Sequence, residues 1–290
     1  MEKLTIIVPS KNQGKYIPDL IVSLKKQQFQ NFKVIVVDSN SNDDTVFLFG
    51  NYDKVQLINK DLTANDALFY ALNLVDTEYV MIATTSDYLY SDNWIKTAIN
   101  RLDGDENLSL VWTSSVNIDE NGNFLNVWCN KFFNYPPPSR EKYIPYWLHN
   151  FYLPELSYCV KTAVYKNCLR NYEIEYRDHG VRFEFSFLMN FTKNGFYQEY
   201  IPGLGHAGRV HSDSLTSIQA DWLKKGAIDL KRMQWKYIID LFLNRKIHYF
   251  RNGKLEIIGK LGNIDILLLP FRYFRVLIEE SIRSVLYKFL

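Results

Sequence analysis

The first 110 residues alternate short apolar runs with longer segments in which apolar residues recur every three or four positions. The short runs are continuously apolar, which is typical of strands buried on both faces of a sheet. The longer segments have the spacing of amphipathic helices. The pattern predicts strands at Leu4–Val8, Val34–Val37, Val55–Ile58, Tyr79–Ile82 and Leu108–Trp112.

Helices are predicted between these strands. Thr63 is a plausible cap for the second of them, because a threonine hydroxyl can accept a hydrogen bond from a free backbone N–H in the first turn. Strand and helix therefore alternate, which predicts an α/β fold with a doubly wound, mostly parallel sheet. The predicted helices run from Ile17 to Leu24, from Ala64 to Val75, and to Leu102 from a cap at Ser91 or Asp92.

Polar residues follow three of the predicted strands. They occupy Pro9–Asn12, Asp38–Ser41 and Thr84–Asp87. In doubly wound sheets, ligands bind beyond the carboxyl ends of the strands. We therefore expect the three polar clusters to converge on one crevice.

The pattern is weaker after residue 113. Prolines place a loop at Asn134–Arg140, because proline is incompatible with a helix interior or a central strand. The other segments are an aromatic, poorly periodic stretch (Tyr143–Tyr158), an apolar helix-like run (Phe183–Phe191), an irregular Gly- and His-rich stretch (202–214), a helical region of mixed charge (216–250) and an amphipathic helix (271–290).

Composition limits the classes of protein to consider. The formal net charge is +2, which gives no reason to expect a nucleic-acid partner. Residues 213–290 hold 14 Lys and Arg and 8 Asp and Glu, so this part is basic. Residues 1–212 hold 20 Lys and Arg and 24 Asp and Glu, so this part is weakly acidic. The three cysteines have no CxxC spacing, which indicates reduced thiols in a cytoplasmic protein. No apolar run approaches the ~18 residues of a spanning helix.

Four segments resemble the family 2 inverting glycosyltransferases of the GT-A fold. The longest begins LTIIVPSKNQGKYIPDL and covers Leu4–Thr45; the others are Asn65–Tyr90, Phe183–Phe196 and Gly208–Thr216. The resemblance implies a Rossmann-like GT-A domain over residues 1–215. Residues 216–290 lie outside it and are predicted to be a helical, basic and amphipathic extension.

The resemblance implies that a nucleotide-diphosphate-sugar donor lies across the strand ends. Asp38 would accept a hydrogen bond from the nucleobase or ribose, although it could instead cap the following helix and close the turn. The implied donor-binding residues are Pro9, Ser10, Asn12, Asp38, Asp66, Thr85, Ser86, Asp87, Arg209 and His211.

The family holds a divalent cation with an acidic motif, because hard cations prefer carboxylate oxygens. Here Thr84 and Ser86 stand where the family has acids, which leaves Asp87, with His211 as a second candidate ligand. A Mn²⁺ or Mg²⁺ site is therefore left open. The other possibilities are that Asp87 caps a turn, or that His206, Arg209 and His211 bind the diphosphate instead.

An inverting transferase needs a general base for the acceptor hydroxyl. The resemblance implies Glu184, which stands where the family has an aspartate. Phe183 and Phe185 flank it, and burial among aromatic rings would raise its pKa towards a useful value. Asp178 is the second candidate. The alternative for Glu184 is a plain ion pair with Arg182.

The resulting hypothesis is a cytoplasmic glycosyltransferase acting on a glycan or a lipid-linked acceptor, in bacterial surface polysaccharide synthesis. A second hypothesis is a non-catalytic sugar-nucleotide-binding or scaffold protein, and a nucleotidyltransferase is a third. The basic tail either packs on the protein or a second subunit, or lies on the inner face of the membrane through residues 271–290.

Overall fold

The structure, a computed structural model, describes residues 2–128, 156–169, 187–188, 190–191, 194, 196–212, 246–251 and 254–260. The strands are β1 (Leu4–Ser10), β2 (Phe32–Asp38), β3 (Val55–Asn59), β4 (Tyr79–Ile82), β5 (Tyr88–Leu89), β6 (Leu108–Ile118), β7 (Phe124–Trp128), β8 (Tyr158–Lys161), β9 (Tyr197–Arg209), β10 (Lys246–Arg251) and β11 (Lys254–Lys260). The helices are α1 (Ile17–Lys26), α2 (Thr45–Gly50), α3 (Ala64–Leu74), α4 (Trp94–Asp103) and α5 (Thr162–Leu169).

One sheet organises the described part of the chain. Its strand order is β3-β2-β1-β4-β8-β6-β9-β5, and β7 pairs with β6. The first four strands are mutually parallel, with Val8 opposite Val36 and Ile7 opposite Ile82. β8 is antiparallel to both of its neighbours, and β9 runs parallel to β6. The carboxyl ends of β1, β2 and β4 therefore lie side by side at one edge.

Two apolar cores cover the two faces of this sheet, because neighbouring residues of a strand point to opposite sides. Ile7 of β1 packs in the core that contains α3 and α5. Ile6 and Val8 pack in the core that contains α1 and α4. The predicted doubly wound α/β architecture is confirmed.

The strands and helices predicted over the first 110 residues are found, with some different bounds. β6 continues past the predicted Trp112 to Ile118. Thr63 caps α3 as predicted, since its hydroxyl accepts from the Asp66 N–H. The predicted cap of α4 is wrong: the helix begins after Asn93, and the Ser91 hydroxyl accepts from the Asn93 N–H outside the helix.

The stretch 202–214, predicted to be irregular, is strand β9 as far as Arg209. A strand can include Pro202 here because its pairing with β6 shifts register twice between Trp112 and Ser115. Gly203, with φ 140°, supplies backbone geometry that a larger residue rarely adopts. The prediction took the Gly- and His-rich composition as irregular, but the proline and glycines mark irregularities within a long strand.

The helical prediction for 216–250 is wrong at its carboxyl end. Residues 246–251 form β10, which pairs antiparallel with β11 and places Arg251 opposite Lys254. The signal was present in the sequence, because Asn252-Gly253 is the dipeptide most favoured in two-residue hairpin loops. The predicted helices over 216–245 and 271–290 lie outside the described residues. No helix among the described residues has the length and apolar character needed to cross a bilayer.

Gly205→Ala tests the packing of β9 against the α4 side of the sheet. An added Cβ would lie 2.9 Å from Trp94 Cγ and also collide with Thr113 Cγ2. We expect the free energy of unfolding, measured in urea, to fall by about 1–3 kcal/mol, as for other overpacked cores. Gly50→Ala is the matched control, because nothing lies within 4 Å of its Cβ position. Equal stability of the two variants would contradict this packing.

Candidate functional site

The loops that follow β1 and β2 are joined by reciprocal hydrogen bonds. The Asn12 N–H donates to Ser41 Oγ over 2.8 Å, and the Asn42 N–H donates to Asn12 Oδ1 over 2.9 Å. Asn12 and Asn40 have φ values of 50° and 56°, in the left-handed region that asparagine tolerates well. Two of the three polar clusters therefore form one unit. The convergence of all three on one crevice stays a prediction.

Asp38 lies at the base of this unit with no exposed surface. Its Oδ2 accepts the Ser41 N–H at 2.8 Å, and its Oδ1 accepts the Ser41 hydroxyl at 2.5 Å. These contacts are those of the turn-closing alternative. A role for Asp38 in binding the donor stays a prediction.

A second set of contacts fixes the starts of α1 and α2. The Gly14 N–H donates to Asp43 Oδ2 over 2.9 Å, and the Thr45 N–H donates to Asp43 Oδ1 over 3.1 Å. Burial alone would raise the pKa of Asp43, but these hydrogen bonds hold that pKa below its ordinary value. A Cβ at Gly14 would stand 3.2 Å from Asp43 Oδ2, so the close approach favours glycine.

The third polar cluster, after β4, is fixed by β9. His206 Nε2–H donates to Asp87 Oδ2 over 3.0 Å, and the Arg209 N–H donates to Asp87 Oδ1 over 2.9 Å. Asp87 is 8% exposed and His206 is 2% exposed. Burial by itself would raise the pKa of Asp87, but the hydrogen bond and the charge interaction with His206, together with the Arg209 N–H, lower it. The carboxylate is therefore held ionised inside the protein.

The Arg209 side chain joins four parts of the structure. Its guanidinium donates to the Ser86 carbonyl (3.0 Å), the Glu120 carbonyl (2.8 Å) and Asp19 Oδ2 (2.6 Å). It also lies 5.0 Å from the ring centroid of Tyr16. With 3% of its side chain exposed, Arg209 is directed towards protein acceptors rather than towards solvent.

The remaining candidates are more scattered. The His211 ring is 7% exposed and lies 5.0 Å from the ring of Tyr16. Asp66 accepts the Thr63 hydroxyl at 2.7 Å, as part of the α3 cap. Pro9 is half-buried, Thr85 is buried, and Ser10 is buried with no hydrogen-bond partner for its hydroxyl in the described part of the chain. Glu184 and Asp178 lie outside the described residues.

The described residues around Asp87 do not fit a divalent metal centre. Thr84 and Ser86 offer neutral hydroxyls, and both oxygens of Asp87 are already engaged. Among the described residues, no three His, Cys, Asp or Glu side chains are grouped so that they could hold an ion. Divalent Mg²⁺ and related hard cations prefer several oxygen ligands, with carboxylates prominent among them.

Two residues of this cluster were missed by the sequence reasoning. Tyr16 and Asp19 stand three positions apart at the start of α1, so they share one helix face. That spacing was the available signal. Their partners, Arg209 and His211, come from β9 and the segment after it, so their contacts depend on the tertiary fold.

The model of the family described as "Glycosyl transferase family 2" matches residues 5–162, more than half of the chain. This chain belongs to glycosyl transferase family 2. The matched region contains all three polar strand ends, whereas Arg209 and His206 lie beyond it.

The chain is similar to parts of longer bacterial members. It is 28% identical to Escherichia coli chondroitin synthase over 144 residues, which are 48% of this chain and 20% of the synthase. It is 35% identical over 97 residues to the poly(ribitol-phosphate) beta-N-acetylglucosaminyltransferase TarS of Staphylococcus aureus, which are 31% of this chain and 17% of TarS. The chain thus spans about a fifth of the length of these relatives.

Solved structures confirm the GT-A fold. A structure of S. aureus TarS in complex with UDP-GlcNAc has a TM-score of 0.60 at 19% identity, covering 82% of this chain and 67% of that one. A structure of the mannosyltransferase PcManGT of Pyrobaculum calidifontis, in complex with GDP-Man and Mn²⁺, has a TM-score of 0.54 at 18% identity. The match covers 79% of this chain and 64% of that one.

Asp87→Asn tests the buried contacts of the third strand end. Asparagine keeps the shape but removes the charge, so we expect the free energy of unfolding at pH 7 to fall by about 2 kcal/mol, as for charged hydrogen bonds. The folded pKa of Asp87 is depressed, so its stabilisation is complete above the unfolded pKa of about 3.9 and is lost as the pH falls through the lower folded pKa.

The measurement is urea unfolding of both proteins between pH 7 and pH 3. The stability gap between wild type and Asp87→Asn should narrow below about pH 4. The exposed Asp61→Asn is the matched control and should change stability little. A gap that is absent at pH 7, or that stays constant to pH 3, would show that the Asp87 charge does not support the fold.

Proposed function

We propose that this protein is a glycosyltransferase that moves one sugar from a nucleotide-diphosphate sugar to an acceptor with inversion. The observation that carries the proposal is the joined pair of polar loops at the carboxyl ends of β1 and β2, in a chain that belongs to glycosyl transferase family 2. Such an edge is where doubly wound sheets bind nucleotides.

The donor is proposed to lie across the ends of β1, β2 and β4. UDP-GlcNAc and GDP-Man are bound by two proteins of similar fold, which supports a nucleotide sugar here. Ser10 lies buried at the end of β1, and its hydroxyl has no hydrogen-bond partner among the described residues. Pro9, Asn12 and Thr85 are the proposed neighbours of the donor.

The Asp87 turn and Arg209 are proposed to position the donor rather than to react. Arg209 holds the Ser86 carbonyl and Asp19, so it fixes the turn relative to the start of α1. Holding two reactants in a fixed geometry is itself a large part of catalysis. Its side chain is too enclosed to serve as a mobile contact for the leaving diphosphate.

The chemical step is proposed to use Glu184 as general base. Its carboxylate takes the proton of the acceptor hydroxyl while that oxygen forms a bond to the anomeric carbon. The bond between the anomeric carbon and the diphosphate oxygen breaks on the opposite face, and the nucleoside diphosphate leaves with the electron pair. Attack from the opposite face inverts the configuration.

The proposed acceptor is a glycan or a lipid-linked glycan in bacterial surface polysaccharide synthesis. The names of the chondroitin synthase, of TarS and of the Salmonella typhimurium O-antigen chain rhamnosyltransferase RfbN support that class. We place the protein in the cytoplasm. Two placements of the tail are proposed as alternatives. Residues 271–290 either contact the inner face of the membrane or pack on the protein or a second subunit.

A non-catalytic sugar-nucleotide-binding protein is the second candidate. The specific observation in its favour is the presence of Thr84 and Ser86 where the family has acids. A non-catalytic protein of this kind would bind the nucleotide sugar without transferring the sugar.

Glu184→Gln separates these functions. With a donor and acceptor pair identified by screening nucleotide sugars, we expect the variant to lose about 10²–10⁴-fold in kcat, the usual contribution of a general base. Nucleotide affinity measured by calorimetry should stay unchanged. Asp178→Asn is the comparison variant and should retain activity.

A Glu184→Gln enzyme with wild-type kcat would exclude Glu184 as the base. If Asp178→Asn alone lost activity, the second candidate base would be the correct one. Wild-type protein that binds nucleotide sugars but transfers no sugar to any acceptor would favour the non-catalytic function.

A further inference from the structure

We propose that this chain binds its nucleotide donor without a divalent cation, because β9 fixes the turn after β4 and a lysine supplies the positive charge. The inference deepens the proposed function and rests on it. It concerns the step at which the family's acidic motif normally acts, namely binding of the donor diphosphate.

The first argument is that both oxygens of Asp87 are already hydrogen-bonded within the protein. Its two oxygens accept hydrogen bonds from His206 and from the Arg209 backbone, at 3.0 and 2.9 Å. A cation at Asp87 would compete with these donors for the same two oxygens. His206 is 2% exposed, so a displaced imidazole N–H would lose its partner inside the protein.

The second argument is that the turn needs no ion to hold its position. The Arg209 guanidinium binds the Ser86 carbonyl on one side and Asp19 of α1 on the other. The backbone of the same residue binds Asp87. Strand β9 therefore attaches to the turn through both a side chain and a backbone group.

The third argument concerns the source of positive charge for the diphosphate. Arg209 and His206 are enclosed and already paired within the protein. Lys11 and Lys60 are exposed and directly follow β1 and β3, and within the described part of the chain neither forms an ion pair. Lys60 Nζ lies 4.1 Å from the ring centroid of Tyr70, whereas no contact among the described residues engages the Lys11 ammonium group.

Lys11 also stands at the edge of the sheet across which the donor is proposed to lie. It follows Ser10, the last residue of β1, and β1 is the strand between β2 and β4. Its ammonium group is a flexible point charge with three donors, which suits a phosphate group. We assign the diphosphate charge contact to Lys11.

The test is calorimetric titration of the full-length protein with UDP, GDP, dTDP and ADP, in buffer containing either MnCl₂ or EDTA. Linked ligands usually change one another's affinity by about 5–150-fold. We expect less than about twofold difference in Kd between the two buffers for the nucleotide that binds, since donor binding is proposed to need no ion.

A Kd that weakens about tenfold or more in EDTA would overturn the inference while supporting the proposed nucleotide-binding function. Failure of every nucleotide to bind in either buffer would overturn the proposed function and this inference with it. The two failures are therefore distinguishable.

Lys11→Gln tests the source of the charge. We expect it to weaken binding of the nucleoside diphosphate about tenfold in EDTA, as for loss of a charge-assisted phosphate contact. Lys26→Gln makes the same charge change on the exposed carboxyl-terminal end of α1 and should leave the Kd unchanged. Equal Kd values for the two variants would overturn the assignment of Lys11.

Discussion

The enclosed carboxylate of Asp87 is the constraint on which the arrangement of the site depends. A buried charge is tolerated only when it is paired and hydrogen-bonded, and Asp87 meets this requirement through His206 and the Arg209 N–H. Both partners come from β9, so the pairing ties the turn after β4 to a strand more than a hundred residues later. Through its guanidinium, Arg209 extends the same connection to Asp19 of α1.

The sheet topology explains why one edge carries the site. β1 is parallel to both β2 and β4, so the three chain segments leave the sheet at the same end. Two of these segments are joined through Asn12 and Ser41, and the third is joined to β9. Family 2 membership and the GT-A fold give this edge its proposed role. The turn after β4 differs from the family's acidic motif, because Thr84 and Ser86 accompany Asp87 there.

Local patterns in the sequence predicted the elements that depend on local interactions. Continuous apolar runs located the parallel strands, and Thr63 was correctly identified as a cap. The pairing of Asp87 with His206 spans 119 residues, so no local pattern contains it. Strand β9 was missed because Pro202 is tolerated only where its pairing with β6 shifts register. The pairing of β10 with β11 was missed although the sequence between them, Asn252-Gly253, is typical of hairpins.

The most direct test of the account is anomalous diffraction at the manganese edge from crystals grown with the bound nucleoside diphosphate and Mn²⁺. The account predicts that the Asp87 to His206 contact persists and that no manganese peak lies within coordination distance of Asp87. A manganese peak at about 2.2 Å from an Asp87 oxygen, with His206 displaced, would contradict it.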